Sequence, residues 1–85
     1  MTWEDGVKEN FERMIAKVPA VLRDFARNAV SKKLNVILQQ ASRTHVTEKD
    51  MVDAFFAATP FGFHGPMKND MHEFGIDYVK YGHPA

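Results

Sequence analysis

Hydrophobic residues recur at helical spacing near the start of the chain, and polar residues fill the positions between them. The apolar positions are Trp3, Val7, Phe11, Met14, Ile15 and Val18. This spacing predicts a first helix with one buried face. Thr2 is predicted to cap it, with Asp5 as the partner in a short-armed capping box. Pro19 ends it, because the residue before a proline disfavours the helical conformation.

The next stretch predicts the longest helix, from Pro19 or Ala20 to about Ala41. A proline suits the first position of a helix, and the predicted length is about 33 Å. In so short a chain, this would be the central helix. Its apolar face is predicted to lie in the core and comprises Leu22, Phe25, Ala26, Ala29, Val30, Leu34, Ile37, Leu38 and Ala41.

A third helix is predicted after a polar bridge over residues 42–46. Thr47 is its expected cap, and Asp50 completes a second pattern of the capping-box type. Thr59 and Pro60 end this helix. Its buried side is predicted to comprise Met51, Val52, Ala54, Phe55 and Ala58.

The remaining residues are rich in glycine, proline and aromatic side chains. Pro66 can open a short helix through about Phe74, closed by Gly75, and residues 76–81 alternate in the manner of a short strand or extended arm. We therefore expect a mostly α fold. A compact three-helix domain would span residues 1–60, and an irregular aromatic tail over residues 61–85 would pack on that domain or on a partner.

Composition narrows the classes of function. The 85 residues include 11 basic and 11 acidic side chains, and this balance disfavours nucleic-acid binding, which requires surplus positive charge. No cysteine is present, which excludes disulfides, thiolate metal sites and a catalytic thiol. The polar, acidic start is unlike a signal peptide, and no apolar run approaches the ~20 residues of a membrane span. We expect a soluble cytoplasmic protein.

The sequence contains no recognisable catalytic arrangement and no phosphate-binding loop. We therefore expect no cofactor and no catalysis by this chain itself. Ordinary surface histidines are the favoured interpretation of the four present, because no HExxH or HxxxH spacing occurs. If the chain binds a metal or tetrapyrrole, His64 and His72 are the candidate ligands, with Asp70 and Glu73 nearby.

Aromatic residues in the tail are the strongest signal for a binding surface. They lie within 21 residues of one another and are Phe61, Phe63, Phe74, Tyr78 and Tyr81. Exposed aromatics beside glycine and proline are typical of an interface. The alternative is that the tail folds back and seals the helical core. Arg23 and Arg27, with Lys32 and Lys33, form a second candidate surface on the long helix.

The order of these features resembles a known family. Trp3, Val18-Pro19, Arg23, Arg27-Asn28, His45-Val46-Thr47 and Met51 follow the pattern of a small helical domain. That domain lies at the C-terminus of the B subunit of light-independent protochlorophyllide reductase and also occurs as short stand-alone proteins. The resemblance covers residues 3–58. The stretch between Pro19 and Thr47 is a few residues longer than in the family pattern. Ser42 stands in the region where a glycine is typical, and the tail lies outside the pattern.

The resemblance implies a compact, mostly helical accessory module of a nitrogenase-like reductase that binds a protein partner. A redox protein or a tetrapyrrole-handling protein would be the partner, and the reactive groups would belong to other subunits. The long helix and the segment Val46–Met51 also resemble, more weakly, the histone fold. That resemblance would imply a DNA-binding or dimerising protein. The very short first connection and the neutral charge disfavour this alternative.

Overall fold

Residues 1–85 are described by a computed structural model. A two-residue strand β1 (Thr2–Trp3) precedes helix α1 (Val7–Ala16), and a 3₁₀ turn (Ala20–Leu22) leads into helix α2 (Arg23–Gln40). Strand β2 (His45–Val46) is followed by helix α3 (Glu48–Ala58), a 3₁₀ turn (Phe61–Phe63), helix α4 (His64–Glu73) and a final 3₁₀ turn (Val79–Tyr81). The fold is mostly α, as predicted, and no helix has the length and apolar character needed to cross a membrane.

The first helix begins later than its apolar spacing predicts. Thr2 does not cap a helix, because β1 pairs in parallel with β2, in the register Thr2 to His45 and Trp3 to Val46. Gly6 then turns the chain at φ 80°, a left-handed conformation that glycine adopts readily, and α1 starts at Val7. The predicted start was therefore wrong, because pairing with a distant strand outweighs local helix propensity.

The long helix also begins late. Pro19 opens a 3₁₀ turn rather than the helix itself, and α2 starts at Arg23 and runs through Gln40. Ser42 ends it at φ 53° in a Schellman motif. In that motif, Ser42 N donates to Gln39 O at 3.1 Å and Arg43 N donates to Leu38 O at 2.9 Å. Ser42 thus occupies a position that usually requires glycine.

The predicted cap of α3 is confirmed. The Thr47 side chain accepts from Asp50 N at 3.3 Å, and the Asp50 carboxylate accepts from Thr47 N at 2.9 Å. This is the reciprocal pair of a capping box. Helix α3 ends at Ala58, as Thr59-Pro60 predicts. It forms its most extensive packing against α2.

The tail folds on the chain's own core. Met67, Met71, Ile76 and Tyr78 are buried in the same cluster as side chains from α1, α2 and α3. Helix α4 starts at His64, two residues before the predicted Pro66, and ends in a second Schellman motif at Gly75, where φ is 70°. Residues 76–81 do not form the predicted strand. Ile76 and Tyr78 are buried with Asp77 exposed between them, and Val79–Tyr81 form a 3₁₀ turn, in which Val79 is exposed.

One predicted face of α2 is divided between two environments. Val30, Leu34 and Leu38 are buried in the core, as expected. Phe25, by contrast, is 75% exposed and Leu22 is 51% exposed. Their predicted burial was therefore wrong. Phe25 lies on the opposite side of α2 from Val30 and Leu34, so the apolar residues of this helix do not share one face.

Candidate functional site

An open groove of about 510 Å³ runs along the outer side of α2 beside the end of α3. Its apolar lining comprises Phe25, Ala29, Val36, Ala57 and Ala58. Asn28, Lys32 and Lys33 complete it. We call these eight residues the α2–α3 groove. Five of the eight side chains are apolar, so much of the wall is hydrocarbon rather than polar side chain.

The groove is the second apolar side of α2. At 100° per residue, Phe25, Ala29, Lys32 and Val36 fall within an arc of about 60°. The buried residues Val30, Leu34 and Leu38 centre about 180° away from that arc. Helix α2 therefore carries apolar side chains towards the core and again on its opposite side, where Phe25 and Val36 are exposed.

Further exposed apolar side chains flank the groove. Val21 is 91% exposed and lies four residues before Phe25, while Phe61 is 87% exposed and lies three residues after Ala58. Three residues span at most ~10 Å, so the Phe61 backbone lies within that distance of Ala58. The Phe61 ring lies against His64, with the ring centroids 5.5 Å apart. Phe63 is exposed as well. Exposed apolar groups that cluster on a small protein mark an interaction surface more often than isolated ones do.

Two unpaired cations lie on the groove. The chain forms five ion pairs, and Lys32 and Lys33 take part in none of them. Neither side chain forms an intramolecular hydrogen bond. Lys17 and Lys49, by contrast, pair with Glu73 and Asp53. The groove therefore combines an apolar wall with local positive charge that nothing in the chain neutralises.

The family to which this chain belongs follows from a match to a family model. The model described as "Protein of unknown function (DUF2621)" matches residues 1–84. The chain is a member of the DUF2621 family. No curated protein and no solved structure matches it. The family match covers all four helices and both strands, so the tail belongs to the DUF2621 unit together with the helices before it.

In this DUF2621 protein, the two predicted arginines serve the fold. Arg23 donates to the carbonyl oxygens of Val18 at 2.8 Å and Ala16 at 2.9 Å, which satisfies the end of α1. Arg27 Nη1 donates to both carboxylate oxygens of Glu12. The hydrogen bonding to Glu12, together with the negative charge of that carboxylate, raises the pKa of Arg27. The predicted basic face is therefore reduced to Lys32 and Lys33, which weakens the nucleic-acid alternative.

The predicted tail aromatics divide into two groups. Phe61 and Phe63 project into solvent. Tyr78 is buried, and Phe74 and Tyr81 pack against the core from its edge. Burial raises the pKa of the Tyr81 hydroxyl. Only Phe61 and Phe63 are thus available to a partner, while the other three hold the tail on the DUF2621 core.

The histidines do not converge on a metal site. His64 Nε2 lies 2.8 Å from the carbonyl oxygen of Thr59, which can only accept, so this nitrogen carries the proton. His72 Nε2 lies 3.2 Å from the Tyr78 hydroxyl. No group of three or more His, Asp or Glu side chains is placed to hold a metal ion. His64 thus contacts the end of α3, and His72 contacts Tyr78 within the tail.

One carboxylate of the DUF2621 fold has a strongly shifted pKa. Arg43 donates to Asp50 at 2.7 and 2.8 Å, and these hydrogen bonds, aided by those from Thr47, lower the pKa of Asp50 to about 2. Shifted carboxylates occur at active sites and in structural ion pairs alike. Here both oxygens are occupied by fixed donors, so Asp50 acts as a structural anchor between the α2–β2 bridge and α3.

Sequence reasoning missed the groove itself. Ala57 was not assigned to any face, and Val36 lay outside the predicted apolar face of the long helix. A usable signal was present, because Phe25, Ala29 and Val36 are separated by four and seven residues, which is the spacing of a helical stripe. That stripe lies opposite Leu34, so α2 carries apolar groups on two sides, as expected of a helix that contacts two neighbours.

Proposed function

We propose that this DUF2621 protein is a protein-interaction module without catalytic activity of its own, and that the α2–α3 groove with its flanking phenylalanines is the binding surface. The single observation that carries the proposal is the exposure of Phe25 in this groove, together with that of Phe61, which follows the groove residue Ala58 by three positions. Burying a phenylalanine side chain contributes about 1.5–3 kcal/mol, so these two residues can anchor a partner.

The remainder of the molecule supports a scaffold role. Sixteen apolar side chains form one continuous buried cluster, and no buried polar side-chain atom lacks a hydrogen-bond partner. The charged side chains with shifted pKa values are explained by fixed intramolecular contacts. A rigid domain of this kind can present a surface with little loss of conformational entropy on binding.

The resemblance to the protochlorophyllide reductase domain stays a prediction about the partner. It directs the search towards oxidoreductase complexes and tetrapyrrole-handling proteins, and it agrees with an accessory, non-catalytic part. The carrying observation, the exposed groove, does not depend on that resemblance.

Site-specific photo-crosslinking in the source cells tests the proposal. A photoreactive phenylalanine analogue is placed at Phe25, at Phe61 and, as a control, at the exposed position Glu9 on α1. We expect the same partner to be cross-linked from Phe25 and Phe61 and not from Glu9. Identical background labelling from all three positions would contradict a binding surface at the groove.

A further inference from the structure

The shape of the α2–α3 groove specifies the geometry of its occupant. Phe25, Ala29 and Val36 form a row about 16 Å long, which is three turns of a helix. A second helix laid along this row would meet apolar contacts at every turn. An extended strand would find no unpaired backbone edge here, because α2 satisfies its own backbone hydrogen bonds.

The alanines of the groove permit close approach. Ala29 lies on α2, while Ala57 and Ala58 lie at the end of α3. Helices whose contact residues are small pack at the short end of the usual interaxial range of 8–10 Å. Large apolar side chains of an occupant can enter this space between the two helices, with Phe25 closing one end.

The positive charge of the groove favours an occupant whose polar side chains are negatively charged. Lys32 and Lys33 are exposed beside the apolar row and take part in no ion pair. An uncharged occupant would partly desolvate both ammonium groups without compensation, which is unfavourable. An occupant with carboxylates beside its apolar row would pair with them.

The same lysines disfavour a second copy of this chain as the occupant. A two-fold axis across the middle of the row would bring Lys32 and Lys33 close to their own symmetry mates. Like charges at short range repel. The positively charged groove is therefore better suited to a negatively charged partner than to a second copy of itself.

We propose that the α2–α3 groove binds an amphipathic helix of a partner protein that carries large apolar residues on one side and Asp or Glu beside them. This inference rests on the proposed function and names the class of partner segment. Phe25 is the apolar anchor, and Lys32 and Lys33 select the acidic flank.

Two labelled peptides test the proposal on the full chain by fluorescence anisotropy. Each has about 18 residues with leucines at the spacing of the groove row, and the flanking residues are glutamates in one and lysines in the other. We expect the glutamate peptide to bind about tenfold more tightly than the lysine peptide, because it can form two partly exposed ion pairs. Its binding should weaken as the salt concentration is raised. Lys32→Glu/Lys33→Glu should reverse the preference, while Lys8→Glu/Lys68→Glu, with the same change in net charge, should preserve it. Phe25→Ser should weaken the binding of both peptides.

Several results would overturn the inference. These are equal binding of both peptides, binding of neither, or a preference unchanged by Lys32→Glu/Lys33→Glu. Binding to phosphatidylglycerol vesicles in place of the peptide would assign the surface to a membrane, and self-association lost in Phe25→Ser would assign it to a second copy. If photo-crosslinking at Phe25 captures a partner segment without acidic residues, the inference fails while the proposed function stands. If no partner is captured at Phe25 or Phe61, the proposed function fails.

Discussion

Arg43 donates two hydrogen bonds to Asp50, and through them the end of the α2–β2 bridge is fixed to the first turn of α3. The Asp50 side chain is almost fully buried, whereas Arg43 remains partly in solvent. The same carboxylate accepts from Thr47 N, so one side chain serves both an ion pair and a helix cap. This arrangement sets the position of α3, whose far end lines the α2–α3 groove.

The Asp50 pair predicts a defined pH dependence. The folded pKa is about 2 against an ordinary value of 3.8. The stabilisation is therefore complete above about pH 4 and is lost as the pH falls towards 2, and it amounts to about 2 kcal/mol. Asp50→Asn should unfold at lower urea at pH 7 and should lose this part of the acid sensitivity. Asp5→Asn, at an exposed site, is the control. Equal acid sensitivity of Asp50→Asn and the parent chain would contradict the pair.

The left-handed conformation of Ser42 leads us to predict that its replacement by glycine is stabilising. Its φ of 53° is a conformation that glycine adopts without steric cost. Ser42→Gly should raise the free energy of unfolding by about 0.5–1 kcal/mol, after allowance for the greater freedom of glycine in the unfolded chain. That corresponds to a rise in Tm of a few degrees. Ser31→Gly, in the interior of α2, is the matched control and should lower Tm. A lower Tm for both variants would show that the left-handed turn carries no strain.

The burial of Met71 in the core leads us to predict that the tail is an integral part of the fold. Its side chain has no exposed surface and lies in the common core cluster. Met71→Ala should lower the free energy of unfolding by about 2–5 kcal/mol, since it leaves a cavity in a small core. Val79→Ala, at a half-exposed apolar residue of the same tail, should change it little. Thermal unfolding of both variants decides this, and a small effect at Met71 would mean that the tail folds separately.

The local signals in the sequence predicted much of the fold. Thr47 and Asp50 predicted the capped start of α3, because a capping box is formed by residues three apart. Pro60 and Gly75 marked helix ends for equally local reasons. The start of α1 was not predictable in this way, since it depends on pairing between Trp3 and Val46, which are 43 residues apart.

The candidate site was less predictable than the fold. Periodicity assigns Phe25 to an apolar face but cannot tell whether another helix covers it. Arg23 and Arg27 carry charge that suits a binding surface, yet their partners are carbonyls and a carboxylate of α1 that only the tertiary structure brings near. Lys32 and Lys33 remain unpaired for the same reason: no acidic side chain of the folded chain is positioned to pair with them.

We expect the substitution of phenylalanine by serine to have very different effects on stability at Phe25 and at Phe55. Phe25 is 75% exposed, whereas Phe55 is 5% exposed and belongs to the core. Phe25→Ser should therefore change the free energy of unfolding by no more than about 0.5 kcal/mol. Phe55→Ser should cost about 3–5 kcal/mol or prevent folding. Urea unfolding of both variants measures this. A large loss of stability in Phe25→Ser would mean that the residue supports the fold rather than a partner.

The most direct test of the binding surface is quantitative co-purification from the source cells with tagged parent chain, Phe25→Ser and Phe61→Ser. The control is Glu9→Ser, which alters an exposed residue on α1. We predict one partner that the parent chain and Glu9→Ser recover equally, and that each phenylalanine variant recovers at about a tenth of that level or less, while all four proteins remain equally stable. Equal recovery by the phenylalanine variants, or recovery of nothing above background by the parent chain, would contradict the assignment of this surface to protein binding.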